Sequence, residues 1–229
     1  MKIAGIQKLS LLDYPDKTCA TIFTAGCNFR CPFCHNARLV INPAEAEQIS
    51  EEEILSFLKK RQGLLDGVCI TGGEPLLQHG LEDFIKKVRE LGFEIKLDTN
   101  GYFPDRLAAL LASGIIDFVA MDIKNSLSRY AETAGLSSLD TAVIEKSIAI
   151  IRESGVPYEF RTTVVRELHT KSDILDIATM LKGAKRYALQ HFKDSGELIK
   201  DGLSGYSDEE MEAFSNEIKP FFDEVIIKG

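Results

Sequence analysis

No cysteine follows Cys69, and the five cysteines of this chain are an odd number crowded into its first third. A disulfide scaffold would spread an even set over a short secreted chain, so these read as reduced thiols. No stretch approaches the roughly 18–20 apolar residues that a membrane span needs. The opening stretch MKIAGIQKLSLLDYPDK has no apolar run long enough for a signal peptide. Basic residues are in deficit, with 27 Lys and Arg against 35 Asp and Glu, a formal net charge of −8. That balance argues against a nucleic-acid or anionic-membrane surface. The expectation is a cytoplasmic protein with neither nucleic acid nor membrane as partner. Linker-like composition, low-complexity tracts and close repeats are also lacking, so residues 1–229 read as one domain.

What is present is an alternation. Short β-branched runs such as TCATIFTAG (18–26), GVCITGG, FEIKLDTNG, IDFVAMDIK, YEFRTTVV and KRYALQH alternate with amphipathic segments. These segments run over 50–62, 81–91, PDRLAALLAS, 140–154, SDILDIATMLK and 207–219. Ser50 is placed to cap its helix, with Glu53 completing a capping box, and Pro104 suits a first helical turn. FFDEVIIKG ends the series as a last strand. Six strand–helix units with short connections imply parallel pairing with right-handed crossovers. An open doubly wound sheet and a six-unit barrel both fit. The unusual polar residues follow nearly every strand rather than one switch point, which favours the barrel. The predicted fold is α/β: a partial (β/α)6 TIM-like barrel of parallel strands with outer helices, open on one side.

The first strand runs into GCNFRCPFCHN (26–36), three cysteines at C-x3-C-x2-C spacing. A thioredoxin-like dithiol would leave Cys27 unexplained, and six units are too many for that domain. A structural zinc site needs four ligands, and His35 beside Cys34 is awkwardly spaced to be the fourth. Cysteine thiolates also hold iron–sulfur clusters. Three of them on a four-iron cluster leave one iron open to a substrate or cofactor.

Other residues stand where such a site would be. Gly72 and Gly73 in TGGEP free the backbone at a strand end, and Glu74 is a carboxylate able to pair with an ammonium group. Asp98 ends an apolar strand. Asp122 and Lys124, two apart in MDIK, share a strand face with Ile116, Phe118 and Ala120. Arg161 interrupts a strand and needs a partner if it points inward. Glu159 on the same face is one choice and a cofactor is another. Gln190 and His191 end the sixth strand. Asn100 and Gly101 read as a turn, and His79 and His169 as helix-start or loop residues. Cys19 and Cys69 read as small strand hydrophobes.

With Phe33 just before the last cysteine, Cys27, Cys31 and Cys34 make the chain resemble the radical S-adenosylmethionine superfamily over nearly its whole length. That resemblance implies one 4Fe–4S cluster on the three cysteines, with S-adenosyl-L-methionine on its open iron. It assigns Gly72, Gly73 and Glu74 to the methionyl group and Asp122 and Lys124 to the catalytic neighbourhood. Phe33, Asp98, Arg161 and His191 become further cofactor contacts, with His191 toward the nucleoside. A bound monovalent cation near the D-x-K motif and a flavodoxin or ferredoxin-type electron donor are also implied. The opening KLSLLDYPDK followed by TCATIFTAGCNFRCPFCHN resembles activating proteins of anaerobic ribonucleoside-triphosphate reductase, except that Asp16 stands where glycine is expected. The implied partner is therefore the large chain of that glycyl radical enzyme. Activases of other glycyl radical enzymes, such as pyruvate formate-lyase, and small-molecule radical enzymes are the alternatives. The polar loop 192–207 is the candidate for contacting the partner or covering the site.

Overall fold

The computed structural model describes residues 1–194 and 196–229. Its strands are β1 (Ile3–Ser10), β2 (Cys19–Thr24), β3 (Gly67–Gly72), β4 (Glu94–Thr99), β5 (Phe118–Asp122), β6 (Tyr158–Val164), β7 (Arg186–His191) and β8 (Glu224–Lys228). They pair in chain order in one sheet, with β1 antiparallel to β2 and every later pair parallel. The helices are α1 (Ala37–Ile41), α2 (Glu51–Lys59), α3 (Leu81–Glu90), α4 (Pro104–Ala112), α5 (Tyr130–Thr133), α6 (Ala142–Glu153), α7 (Lys171–Met180) and α8 (Asp208–Ile218). The six units expected from the sequence are β2–α2, β3–α3, β4–α4, β5–α6, β6–α7 and β7–α8, followed by β8.

Side chains on one face of the sheet, among them Val68, Ile70, Ile95, Leu97, Val119 and Phe160, pack with Leu58, Phe84, Ile85 and Ile151 of the helices as the main core. The alternate positions face inward. Gln7, Thr21, Thr71, Asp98, Asp122, Arg161 and Gln190, from seven successive strands, line a single cavity. A flat sheet cannot bring its two ends to one cavity, so this sheet is curled into a barrel. It stays open, because β1 and β8 are its two edges. Tyr14, Cys19, Cys69, Phe118 and Ala120 form a separate apolar cluster on the inner face. Cys19 and Cys69 are thus the small strand hydrophobes expected.

Local signals mostly hold. Pro104 opens α4 and Gly155, at φ 75°, follows the end of α6. At α2 only half of the expected capping box forms, Ser50 Oγ accepting from the Glu53 N–H at 3.1 Å. Complete boxes occur instead at Thr170/Asp173 and Ser207/Glu210. Asp16 has φ 60°, the conformation for which glycine is the usual choice. Three elements were not expected: β1, α1 and α5. Gly5, Gln7 and Lys8 break any apolar alternation in β1. It exists because it pairs with β2, through a register broken by two irregularities.

Candidate active site

The cysteine loop leaves the top of β2 and is held from three sides. The Gly26 N–H donates to Leu39 O (2.8 Å), Glu74 N–H to Gly26 O (2.8 Å) and Arg30 N–H to Ala134 O (2.8 Å). Gly73 makes the second contact possible, since a Cβ there would lie 1.9 Å from Gly26 O. The glycines after β3 therefore let two backbones touch, a requirement the sequence reading had assigned to a ligand. Cys27, Cys31 and Cys34 all face the cavity, whose volume is about 330 Å³. Cys27 Sγ accepts from the Phe29 N–H at 3.3 Å and from Asn100 Nδ2 at 3.7 Å. Burial pushes the Cys27 thiol up to about 11 and the Cys31 thiol to about 12, and raises Cys34 too, against the pull of the Lys124 ammonium.

Among the described residues, no three His, Cys, Asp or Glu side chains converge as ligands of one metal ion. A four-iron cluster asks something different, because each thiolate binds its own iron and the three need only surround a shared space. Three sulfurs on one cavity wall, one already taking N–H donors, fit that requirement. Phe33 lies on the same wall, with the Lys124 ammonium 5.8 Å from its ring centroid.

Across the cavity, charges alternate from strand to strand. Lys96 Nζ contacts Asp98 Oδ1, and Arg161 Nη2 donates to Asp98 Oδ2 at 3.0 Å. Arg161 Nε contacts Asp122 Oδ1, and Lys124 Nζ donates to Asp122 Oδ2 at 2.9 Å. Burial opposes ionisation throughout. The Arg161 guanidinium, with Lys96 and Lys124, nevertheless holds both carboxyls below their usual range. Lys96 is 1% exposed, and the sequence reading missed it. Arg161 does not pair with Glu159, which is bound by Lys228 from β8 at 2.5 Å. Each oxygen of Asp98 and Asp122 already has a cationic side chain of the chain itself against it, so the pair offers no unpaired oxygen to the bound monovalent cation that the resemblance implied.

Glu74 is fully buried and off the cavity wall. Its Oε1 accepts from the Leu76 N–H (3.0 Å) and Thr99 hydroxyl (2.8 Å), and Oε2 from the Asn100 N–H (2.7 Å). Burial pushes its carboxyl up to about 7 against those donors. Asn100, read as a turn residue, lines the cavity and donates to Asn28 Oδ1 at 2.9 Å as well as to Cys27. The turn signal Asn-Gly was visible, but not which loop its side chain would meet. At the end of β7, Gln190 is on the wall, whereas His191 lies off it with Nε2 3.5 Å from Asp208 Oδ1. His169 is buried, its Nδ1 accepting from the Val165 N–H and its Nε2–H donating to Lys124 O at 2.7 Å. It clamps the backbone after Lys124. In the loop 192–207, Ser195 lies outside the described residues. Its neighbours reach the cysteine loop, with Lys200 N–H donating to Pro32 O (3.0 Å) and the His35 ring 5.9 Å from Phe192.

A sequence profile for the Radical SAM superfamily matches residues 21–181. A Methanocaldococcus jannaschii protein named provisionally as a glycyl-radical enzyme activating enzyme is 33% identical over 235 residues, covering 99% of this chain and 95% of that protein. The pyruvate formate-lyase-activating enzyme of Clostridium pasteurianum is 33% identical over 129 residues, 54% of this chain and 52% of the relative. Among solved structures, Streptococcus suis SuiB superposes with a TM-score of 0.71 at 14% identity over 90% of this chain. The chain spans about half of SuiB, 47% of its length. This likeness is one of fold, a partial barrel.

Proposed function

The chain belongs to the radical SAM superfamily, and on that premise we propose that it is a glycyl-radical-enzyme activase whose target is the anaerobic ribonucleoside-triphosphate reductase large chain. The observation that carries the chemistry is the single cavity on which Cys27, Cys31 and Cys34 face Asp98, Asp122, Lys124 and Arg161. When bound, a 4Fe–4S cluster and S-adenosyl-L-methionine supply a one-electron cleavage of the sulfonium and a 5′-deoxyadenosyl radical able to abstract hydrogen. Cys27, Cys31 and Cys34 hold the cluster, and Asn100 steadies Cys27. Lys124 and Arg161 offer positive charge to the methionyl carboxylate. Phe33 gives the wall an apolar surface that keeps water from the reacting atoms. Glu74 acts on this site by fixing Asn100 and the cysteine loop, whereas a direct ammonium contact would have to displace donors it already has. Gln190 is better placed than His191 for a nucleoside contact.

The reductase as target is supported by the opening SLLDYP and CPFCHN motifs, and the activase reading itself by the match over 95% of the M. jannaschii relative. The open edge between β1 and β8 leaves a way in for a glycine-bearing loop of the partner. A flavodoxin or ferredoxin-type protein would deliver the electron. No helix among the described residues is long and apolar enough to cross a membrane. The test mixes anaerobically reconstituted, reduced protein with S-adenosylmethionine and the reductase and records the electron paramagnetic resonance spectrum. A glycyl doublet that vanishes on a Gly→Ala change in the reductase supports the reading. No doublet with the reductase but one with pyruvate formate-lyase would move the target to the latter, the reading that the C. pasteurianum relative favours.

A further inference from the structure

Lys96 is a lysine where burial is hardest to tolerate. It sits inside the barrel at 1% exposure, its Nζ against Asp98 Oδ1 and 3.7 Å from the Cys69 sulfur. A buried ammonium persists only when paired, because desolvation disfavours the charged form. Here the pairing continues: Lys96 on Asp98, Asp98 on Arg161, Arg161 on Asp122, Asp122 on Lys124. Each of the four carboxylate oxygens has its own cationic donor. The ladder itself sets three cations on two carboxylates, and Asp13, whose carboxylate accepts from the Thr21 hydroxyl at 2.6 Å, adds a third carboxylate to the same cavity wall. Glu159, the next inward carboxylate on β6, is matched separately by Lys228.

A hard cation binds through oxygen ligands carrying negative charge. Two carboxylates on adjacent strands, as Asp98 and Asp122 are, would offer such a site if their oxygens were free. In this chain the ammonium of Lys96 and the guanidinium of Arg161 already occupy them. A further cation at this pair would meet an ammonium or guanidinium at every oxygen. We propose that Lys96, with Arg161, takes the place of a bound monovalent cation at the Asp98–Asp122 pair, so that the site binds its cofactor carboxylate without an alkali ion. Lys96 is then a positioning residue, acting through Asp98 and Arg161. The inference rests on the cofactor reading above.

The test measures S-adenosylmethionine binding to the cluster-loaded protein by anaerobic calorimetry, in sodium, potassium and choline chloride at equal ionic strength. Wild type should give the same Kd in all three salts. A gain of about fivefold or more in either alkali salt, the lower end of ordinary linkage, overturns the proposal. Lys96→Met frees Asp98 Oδ1, and the variant should lose affinity in choline and recover about fivefold or more in sodium or potassium. If it binds as wild type does in all three salts, Lys96 has no such role. If it does not fold, the wild-type comparison still decides. A second measurement needs no cofactor: the thermal midpoint should not depend on the choice of cation in wild type, and an alkali ion should raise it in Lys96→Met. An alkali-specific rise in wild type counts against the proposal. Failure to bind S-adenosylmethionine in any salt would sink the function proposed above, and the thermal midpoints would then decide this inference alone.

Discussion

Asn100 is the residue whose importance depends most on position. One side chain donates to Asn28 and Cys27 while its Oδ1 accepts from the Tyr102 N–H at 3.0 Å. Asn28 Nδ2 has no partner among the described residues, so removing the Asn100 donor leaves the amide with only the weak Cys27 Sγ contact to its Oδ1 at 4.0 Å. Asn100→Ala should destabilise the protein by about 1–3 kcal/mol and speed cluster loss in air, measured by urea unfolding and by iron release. Cys19→Ala and Cys69→Ala, on the inner face away from the cysteine loop, should leave iron content unchanged. His169 gives a pH signature. Burial lowers its pKa despite the two backbone hydrogen bonds, so the folded protein keeps it neutral where the unfolded chain is already protonated. Its contribution is therefore intact above the ordinary histidine range of about 6.5 and is lost as pH falls below it. Thermal midpoints measured from pH 7.5 down to 5.5 should fall, and His169→Gln should be less stable at pH 7.5 with a flatter slope. A variant with the wild-type slope would place that dependence elsewhere.

Among the elements, the end of β3 is the least tolerant. A Cβ on Gly73 meets the Gly26 carbonyl, and backbone rather than a flexible side chain would have to move. Gly73→Ala should keep its helical and strand content by circular dichroism and yet take up much less iron, because the displaced segment is the start of the cysteine loop. Normal iron incorporation in a folded variant would refute that coupling. The loop after β7 is tied to the same place from the other side. Ser204 bonds the Glu167 carboxylate and the Tyr206 hydroxyl donates to His169 O at 2.6 Å, while Lys200 N–H reaches Pro32 O. The length of this polar segment made it the candidate for contacting the partner or covering the site. Its contact with the cysteine loop depends on β6 and β7 standing beside each other.

For the whole molecule, the open seam sets what must be satisfied internally. A closed barrel would shield both edges, whereas here the last strand is an edge whose Lys228 is bound to buried Glu159 on β6. Lys228 binds Oε1, and Glu159 Oε2 has no partner among the described residues. Lys228→Met should thus leave an uncompensated buried carboxylate and cost roughly 3 kcal/mol by urea unfolding at neutral pH. Adding Glu159→Gln should recover part of that loss, since the charge is then gone. Additive losses in the double variant would show that the two side chains are not coupled.

The alternation of β-branched and amphipathic segments determined seven of the eight strands and the six long helices, because in-line periodicity reports which residues must be buried. The cysteine spacing determined the cluster loop, because three thiolates within eight residues can face only one small volume. Tertiary structure alone decided β1, which lacks a readable apolar period and forms by pairing with β2. It alone decided that Arg161 meets Asp98 and Asp122 while Glu159 meets Lys228, and that Lys96 lies beneath Asp98. Strand period says which face a side chain takes, but not which charge awaits it across the barrel. Those partners come from segments up to 69 residues apart, and only the register of the parallel strands brings them together.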